Sequence, residues 1–204
     1  MKCIILGNGN SRLGFDYREE YPGAFVIGCN GAFKESPDAL VCNDVKMQHI
    51  IYKSGYCENN LCLFSQWEPL PGYIGVLLAE QLGNPIVSNE KDGRTSCVVS
   101  GTKDTTYMTW TKADCVTSIP EIPMSSGSRA LLYACESGQF DEIIMIGFDG
   151  VGAKNLYQDD EGYEDSFPLG EWVKERQEIM KKFESQVDFK CPDIDNHLCQ
   201  MGEI

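Results

Sequence analysis

Short apolar segments alternate with helix-like segments along most of the chain, and this alternation limits the folds that the chain can adopt. Several of the apolar segments carry apolar residues on both faces, as parallel strands covered by helices do. Strands that alternate with helices predict an α/β fold. We expect a single doubly wound, mostly parallel, Rossmann-like sheet with helices on both faces. The predicted strands are KCIIL, AFVIG, ALVCN, NLCLFS, ADCVTSI, EIIMIG and VDFKC.

The segments between these strands have the apolar spacing of helices. In the last of them, Trp172, Ile179 and Phe183 recur at helical intervals, and charged residues occupy the other face. Residues 88–110 break the alternation, because Asp92 and Gly93 form a hairpin-turn pair between segments that alternate polar and apolar. We expect a β-hairpin excursion there. The predicted helices are NDVKMQHIIYKSG, PGYIGVLLAEQLG, SSGSRALLYACESG and LGEWVKERQEIMKKFESQ.

Length and composition predict one globular domain over residues 1–204. Of the 204 residues, 42% are hydrophobic and 24% are charged, as in ordinary globular proteins. No segment approaches the ~18 apolar residues of a membrane span, and the first residues do not resemble a signal peptide. We therefore expect a cytoplasmic protein. The net charge of −14 disfavours nucleic acid as a partner, because the protein surface repels a polyanion.

The cysteines predict buried, reduced thiols rather than a disulfide framework. The chain has 10 cysteines but no C-x-x-C pair, and most of them fall in predicted strands. A free cysteine in such a position behaves as a small buried hydrophobic residue. Reduced thiols are also what a cytoplasmic protein is expected to contain.

Polar residues follow the predicted strands at their carboxyl ends, where ligands bind in open α/β sheets. The loop after the first strand has the spacing G-x-G-x-x-x-x-G, which is not that of a dinucleotide site, and the chain has no G-K-[ST] triplet of a P-loop. Asparagine, serine and glycine dominate these strand ends, and cationic residues are absent from the pattern. Such neutral groups suit a base and a ribose. The candidate nucleotide-binding residues are Gly7, Asn8, Gly9, Asn10, Ser11, Asn30, Asn43, Ser125, Ser126 and Gly127.

Each of these residues also has a structural interpretation. A single asparagine at a strand end can bond its own backbone, and Ser125 or Ser126 can cap a helix. Asp149, which precedes a glycine, can be a turn residue. Because several independent strand ends carry such residues, the set as a whole favours a ligand site.

An acidic segment, YQDDEGYEDS, follows the last of these motifs. Its carboxylates could ligate Mg²⁺, although such a run is more often a solvated loop. Its tyrosines, Tyr157 and Tyr163, could hydrogen-bond a developing phosphate charge. The acidic residues are Asp159, Asp160, Glu161, Glu164 and Asp165.

The ordered motifs GNGNS, GCN, CND, SSG and GFDG, with a downstream tyrosine, resemble those of the bacterial lipooligosaccharide sialyltransferases. Those enzymes share a superfamily shape with archaeal-type 6-hydroxymethylpterin pyrophosphokinases, and the resemblance runs from Gly7 to Pro192. It implies that Asn8 and Asn30 contact the CMP part of a sugar donor. The other matched positions are Asn43, Ser125, Ser126, Gly127 and Asp149.

Two features of that family have no counterpart in the chain. Of the two tyrosines that stabilise the departing phosphate, one matches Tyr157 and the other aligns with Val151. The family's histidine base is also missing, because Ser166 and Phe167 stand near its position. The donor pocket is therefore expected to be retained, while the acceptor chemistry is expected to differ.

The leading hypothesis is a glycosyltransferase that transfers a sugar from a CMP-sugar to a hydroxyl of a small molecule or glycan, without a required metal or other cofactor. Tyr157 would stabilise the leaving phosphate, and Asp149, Asp44 or His49 would act as the base. One alternative is a Mg²⁺-dependent diphosphotransferase of the pterin pyrophosphokinase kind, with Asp149 and the acidic segment as metal ligands. The scarcity of cations at the strand ends counts against it. The other alternative is a non-catalytic nucleotide-binding protein.

Overall fold

The computed structural model describes residues 1–82, 96–101, 106–112, 115–149, 155–157, 160 and 169–192. The chain divides into two compact units: a first unit, Met1–Val41 with Pro123–Ile204, and a second unit, Cys42–Ile122. The single domain over residues 1–204 thus stays a prediction. In the described part of the chain, no helix is both long and apolar enough to cross a membrane.

The order of elements follows the predicted alternation closely. The described strands are β1 Lys2–Leu6, β2 Phe25–Cys29, β3 Ala39–Cys42, β4 Leu61–Ser65, β5 Leu70–Pro71, β6 Ser96–Gly101, β7 Thr106–Thr111, β8 Thr117–Ile119, β9 Glu142–Ile146 and β10 Asp188–Lys190. The helices are α1 Tyr17–Glu20, α2 Val45–Lys53, α3 Gly72–Gln81, α4 Ser126–Ser137 and α5 Leu169–Phe183. The predicted α/β class is confirmed.

The first unit is built on a parallel sheet with the strand order β10–β9–β1–β2–β3. The central strand is β1, in which Cys3 lies opposite Phe25 of β2 and Ile143 of β9. Residues 3–6 have no exposed surface, because a central parallel strand is covered on both faces. All strand pairs here are parallel, so their carboxyl ends share one edge of the sheet.

Two long helices complete the first unit. Ser125 caps α4, which ends where Gly138 takes the left-handed conformation with φ of 63°. Helix α4 contacts β1, β2 and α5. In α5, Ile179 and Phe183 are buried as their spacing predicted. The packing of these two helices brings the start of α4 close to the side chains of α5.

The second unit contains both kinds of strand pairing. Strands β4 and β8 are parallel, with Leu63 opposite Thr117. Strands β6 and β7 are antiparallel, with Cys97 opposite Trp110, and β5 pairs with the other edge of β6. An antiparallel pair therefore lies in the region of the predicted hairpin, while Asp92 and Gly93 lie outside the described residues.

Most cysteines of the described residues are free thiols within the core. Burial raises the pKa of the Cys29 thiol to about 12, which keeps it protonated and unreactive at neutral pH. Cys191 is disulfide-bonded, so the expectation of reduced cysteines is wrong at this residue. The free cysteines are Cys3, Cys29, Cys42, Cys57, Cys62, Cys97, Cys115 and Cys135.

Candidate functional site

The loop after β1 lies directly against the segment after β9. The Gly7 amide donates to the Ile146 carbonyl at 2.8 Å, and the Gly9 amide donates to the Gly147 carbonyl at 2.9 Å. A Cβ atom built on Gly7 would be 2.3 Å from the Gly147 oxygen. Only glycine fits at such a close approach of two backbones. This contact explains why glycine occupies position 7.

Asp149 also binds the loop after β1. Its Oδ2 atom accepts a hydrogen bond of 2.9 Å from the Ser11 amide, and its Oδ1 atom accepts one from the Ser11 hydroxyl. A Cβ atom on Gly9 would be 2.1 Å from that carboxylate. The structure therefore gives Asp149 a positioning role. Its role as a base stays a prediction, because a carboxylate has lone pairs beyond the two used here.

Arg12 forms the centre of a polar cluster that the sequence analysis missed. Its side chain is 6% exposed, and its Nε donates to the Gly7 carbonyl at 2.8 Å. The two Nη atoms form a fork on Glu35, with distances of 2.8 and 2.6 Å, and Nη2 also donates to the Tyr157 hydroxyl at 3.0 Å. The Tyr157 hydroxyl in turn donates to Glu35. We call Arg12, Glu35 and Tyr157 the Arg12 cluster.

The Arg12 cluster fixes the charges of its members. Burial alone would raise the pKa of Glu35, but the hydrogen bonds from Arg12 and Tyr157 outweigh it and hold that pKa below its usual value. Burial, and then the bond to Glu35, raise the pKa of Tyr157. Tyr157 is therefore protonated at neutral pH, and in this arrangement its proton is directed at Glu35.

Asn30 follows β2 in an unusual conformation. Its φ of 49° is left-handed, which asparagine tolerates better than most residues. Its side-chain Oδ1 atom is buried and has no hydrogen-bond partner among the described residues. Leaving a buried carbonyl oxygen unpaired costs about 1–3 kcal/mol. Backbone strain and an unsatisfied acceptor at one residue are typical of a ligand contact.

The start of α4 confirms the capping interpretation for Ser125. The Ser125 hydroxyl accepts from the Ser128 amide at 3.1 Å, and the Ser125 amide donates to Glu175 Oε2 at 3.1 Å. Ser126 is 8% exposed, and its carbonyl accepts from the Cys29 thiol at 3.8 Å. These contacts tie the first turn of α4 to β2 and α5.

Arg176 of α5 is a second buried cation that the sequence analysis missed. It is 4% exposed, its guanidinium carbon lies 5.0 Å from the centre of the Phe148 ring, and its Nε has no hydrogen-bond partner among the described residues. Burial lowers its pKa to about 10, although Glu175 opposes this. Cationic side chains therefore do lie near the strand ends, contrary to the sequence pattern.

Three predicted residues belong to the second unit. Asp44 caps α2 by accepting from the Met47 amide at 2.7 Å, and the Asn43 carbonyl accepts from the Ser65 hydroxyl at 3.4 Å. His49 is 2% exposed, and its Nδ1 atom lies 2.5 Å from Thr109 Oγ1. Burial, assisted by the charge of Lys53, lowers the pKa of His49 to about 4. The imidazole is therefore neutral and lacks the solvent access that a base for an acceptor hydroxyl needs.

The candidate metal ligands are described only in part. Asp160 pairs with Lys34 at 2.6 Å, and the other residues of the acidic segment after Tyr157, Tyr163 among them, lie outside the described residues. Among the described residues, no group of three or more acidic, histidine or cysteine side chains could hold a metal ion.

Comparisons with protein-family models, curated proteins and solved structures gave no match. The resemblance to sialyltransferases therefore stays a prediction. The first unit contains the β1 loop, Asn30, the start of α4, Asp149 and Tyr157, so the function is argued from this unit.

Proposed function

We propose that the first unit binds the nucleotide part of a CMP-sugar at the carboxyl ends of β1 and β2, and that the protein transfers the sugar to a hydroxyl acceptor. The observation that carries this proposal is the buried, unpaired Oδ1 atom of Asn30. It is an acceptor, so it requires a donor from the ligand. The amine of cytosine and the hydroxyls of ribose are donors of this kind.

The Arg12 cluster, which belongs to the same unit as Asn30, suits the chemistry of a leaving phosphate. Arg12 supplies a buried guanidinium, and Tyr157 supplies a protonated hydroxyl. Arg12 would stabilise negative charge on the departing CMP through the Nη1 hydrogen that Glu35 does not use, and Tyr157 would do so by turning its proton from Glu35 to the phosphate. Asp149 is the candidate base within this unit, because it keeps free lone pairs beside the β1 loop. In this proposal the protein accelerates transfer mainly by holding the acceptor in line with the leaving group.

Replacing Asn30 with glycine tests the donor site. Glycine keeps the left-handed backbone but removes the carboxamide. We expect CMP to bind the wild type and to bind Asn30→Gly about tenfold more weakly, because one hydrogen bond from the buried acceptor is lost. Thermal shift and calorimetric titration with cytidine, CMP, UMP, AMP and CMP-sialic acid, with and without Mg²⁺, measure this.

Asn59→Gly is the matched control, because Asn59 is an exposed asparagine in a turn of the second unit. It should bind CMP as the wild type does. Equal CMP binding by wild type and Asn30→Gly would show that Asn30 does not contact the ligand. No response of the wild type to any nucleotide would contradict the proposal as a whole.

One observation favours the diphosphotransferase alternative as a second candidate. The scarcity of cations at the strand ends counted against it, and the buried Arg12 and Arg176 remove that objection. Phosphate groups of ATP would find cationic partners in this unit. Stabilisation by ATP only in the presence of Mg²⁺ would support this candidate. Stabilisation by CMP-sialic acid, without transfer of its sugar to any acceptor and without release of CMP, would support a non-catalytic binding protein.

A further inference from the structure

We propose that Arg176 and the amino terminus of α4 form a binding site for an oxyanion, either a phosphate or a carboxylate group. This inference goes beyond the proposed function, because it requires a simple anion and no particular nucleotide. It concerns residues of the first unit only. The donors that it names are the Arg176 guanidinium and the Gly127 amide.

The ring of Phe148 links these two donors. The Arg176 guanidinium carbon lies 5.0 Å from the centre of that ring. A Cβ atom built on Gly127 would be 2.7 Å from Phe148 Cε1, so the ring edge fills the space that a side chain would occupy. Arg176 and the first turn of α4 thus face the same aromatic ring. The absence of a side chain at Gly127 is what lets this ring approach the first turn of α4 so closely.

The Gly127 amide and Arg176 Nε are donors that have no acceptor in the part of the chain that the structure describes. The first turn of a helix leaves amide groups that have no intrahelical partner. In α4, the Ser125 side chain accepts from the Ser128 amide, and Glu175 accepts from the Ser125 amide. The Gly127 amide has no such partner among the described residues, and neither does Arg176 Nε. A ligand that satisfies two donors must supply acceptor oxygens.

The local charge also favours an anion. Arg176 carries a buried positive charge, which is costly unless it is paired. The lowering of its pKa to about 10 by burial reflects this cost. The amino terminus of α4 adds a partial positive charge from the helix dipole. Glu175 already accepts from the Ser125 amide, and a bound oxyanion would compensate the remaining positive charge with hydrogen bonds. The flat guanidinium suits a phosphate or a carboxylate.

The test compares Arg176→Met with the wild type in titrations of inorganic phosphate and of acetate at constant ionic strength. We expect one of these anions to raise the melting temperature of the wild type. Arg176→Met should bind that anion about 10- to 100-fold more weakly, as expected for a lost hydrogen bond to a charged group. Arg176→Lys should be intermediate, because it keeps the charge and loses the planar fork.

Lys182→Met is the matched control, because Lys182 is an exposed cation on the same helix that also lies over a ring, 5.1 Å from Phe183. It should bind the anion as the wild type does. Without the anion, Arg176→Met should be as stable as the wild type or more stable, because the cost of burying the charge of Arg176 is gone. A purely structural Arg176 would instead lower the melting temperature of that variant and leave anion binding unchanged.

The outcomes separate this inference from the proposed function. No effect of either anion on the wild type, or an equal effect on Arg176→Met, would overturn the oxyanion site. Either of these results, together with CMP binding by the wild type, would overturn the oxyanion site and leave the proposed function intact. Phosphate or acetate binding that requires Arg176, without binding of any nucleotide, would support the site and contradict the proposed function.

Discussion

At the scale of single residues, the Arg12 cluster is the strongest polar feature of the first unit. Arg12 is almost fully buried, and Glu35 compensates its charge. Among the described residues, no other carboxylate lies within hydrogen-bond distance of Arg12. Bidentate pairs of this kind are geometrically specific and strong. The cluster connects the β1 loop through Gly7, the turn after β2 through Glu35, and Tyr157.

Replacing Glu35 with glutamine should destabilise the protein by about 3 kcal/mol at neutral pH, because a buried guanidinium is left without its counter-ion. The pKa of Glu35 is below its ordinary value of 4.5 in the folded protein. A carboxylate with a lowered pKa stabilises the fold at high pH and loses this effect as the pH falls through the folded pKa. The difference in free energy of unfolding between wild type and Glu35→Gln should therefore shrink below about pH 4.5. Urea unfolding at several pH values measures it.

Asp160→Asn provides the control for that experiment. It breaks the pair with Lys34, whose side chain is 43% exposed, and exposed pairs contribute at most about 1 kcal/mol. A loss for Glu35→Gln no larger than that for Asp160→Asn would show that the Arg12 cluster contributes little to stability.

The sequence predicted one part of the candidate site and missed another. Asn30 and Ser125 could be placed because the carboxyl ends of parallel strands share one edge, which is a property of the topology. Arg12 could not be recognised as part of a buried ion pair, because its counter-ion Glu35 lies in the connection after a different strand. The burial of Arg176 could have been predicted from its position in the sequence. Arg176 falls on the apolar face of α5, at the same helical spacing as Trp172 and Ile179, and a charged residue there is unusual.

At the scale of elements, the strands and helices were predictable where the apolar pattern was long. The helix α4 and the strand β9 lie within their predicted segments. The strand β5 was missed, because its two residues, Leu70 and Pro71, are too few to show a period. The contact between the β1 loop and the segment after β9 was also missed, since glycine spacing alone does not show what a glycine approaches.

Replacing Gly7 with alanine should destabilise the protein by about 3 kcal/mol, because the new Cβ would overlap a backbone oxygen that cannot move aside easily. The overlap is with the Gly147 carbonyl, 2.3 Å from the Cβ position. Denaturant unfolding measures the change. Gly170→Ala is the control, because no atom of the described residues lies within 4 Å of its Cβ position in α5, and alanine there should stabilise the helix by about 0.5 kcal/mol. Equal effects of the two substitutions would show that the backbone contact at Gly7 is looser than described.

At the scale of the whole molecule, the net charge of −14 is the dominant property. A chain with so many like charges repels itself in the compact state, and salt screens that repulsion. We expect the melting temperature at pH 7 to rise when sodium chloride is increased from a low to a physiological concentration. The rise should vanish near pH 4.5, the sequence isoelectric point. A salt effect of equal size at both pH values would contradict this explanation.

The pairing of β1 with β9 also determines when the first unit can be completed during synthesis. Lys2 of β1 pairs with Glu142 of β9, and the amino group of Met1 bonds to Asp141, which lies 140 residues further along the chain. At roughly 5 to 20 residues per second, a ribosome needs about 7 to 28 s to make that intervening chain. During this time the apolar β1 strand is without one of its two neighbours, and an unpaired strand edge is a template for aggregation. A nascent chain that stalls before β9 emerges is therefore expected to depend on chaperones.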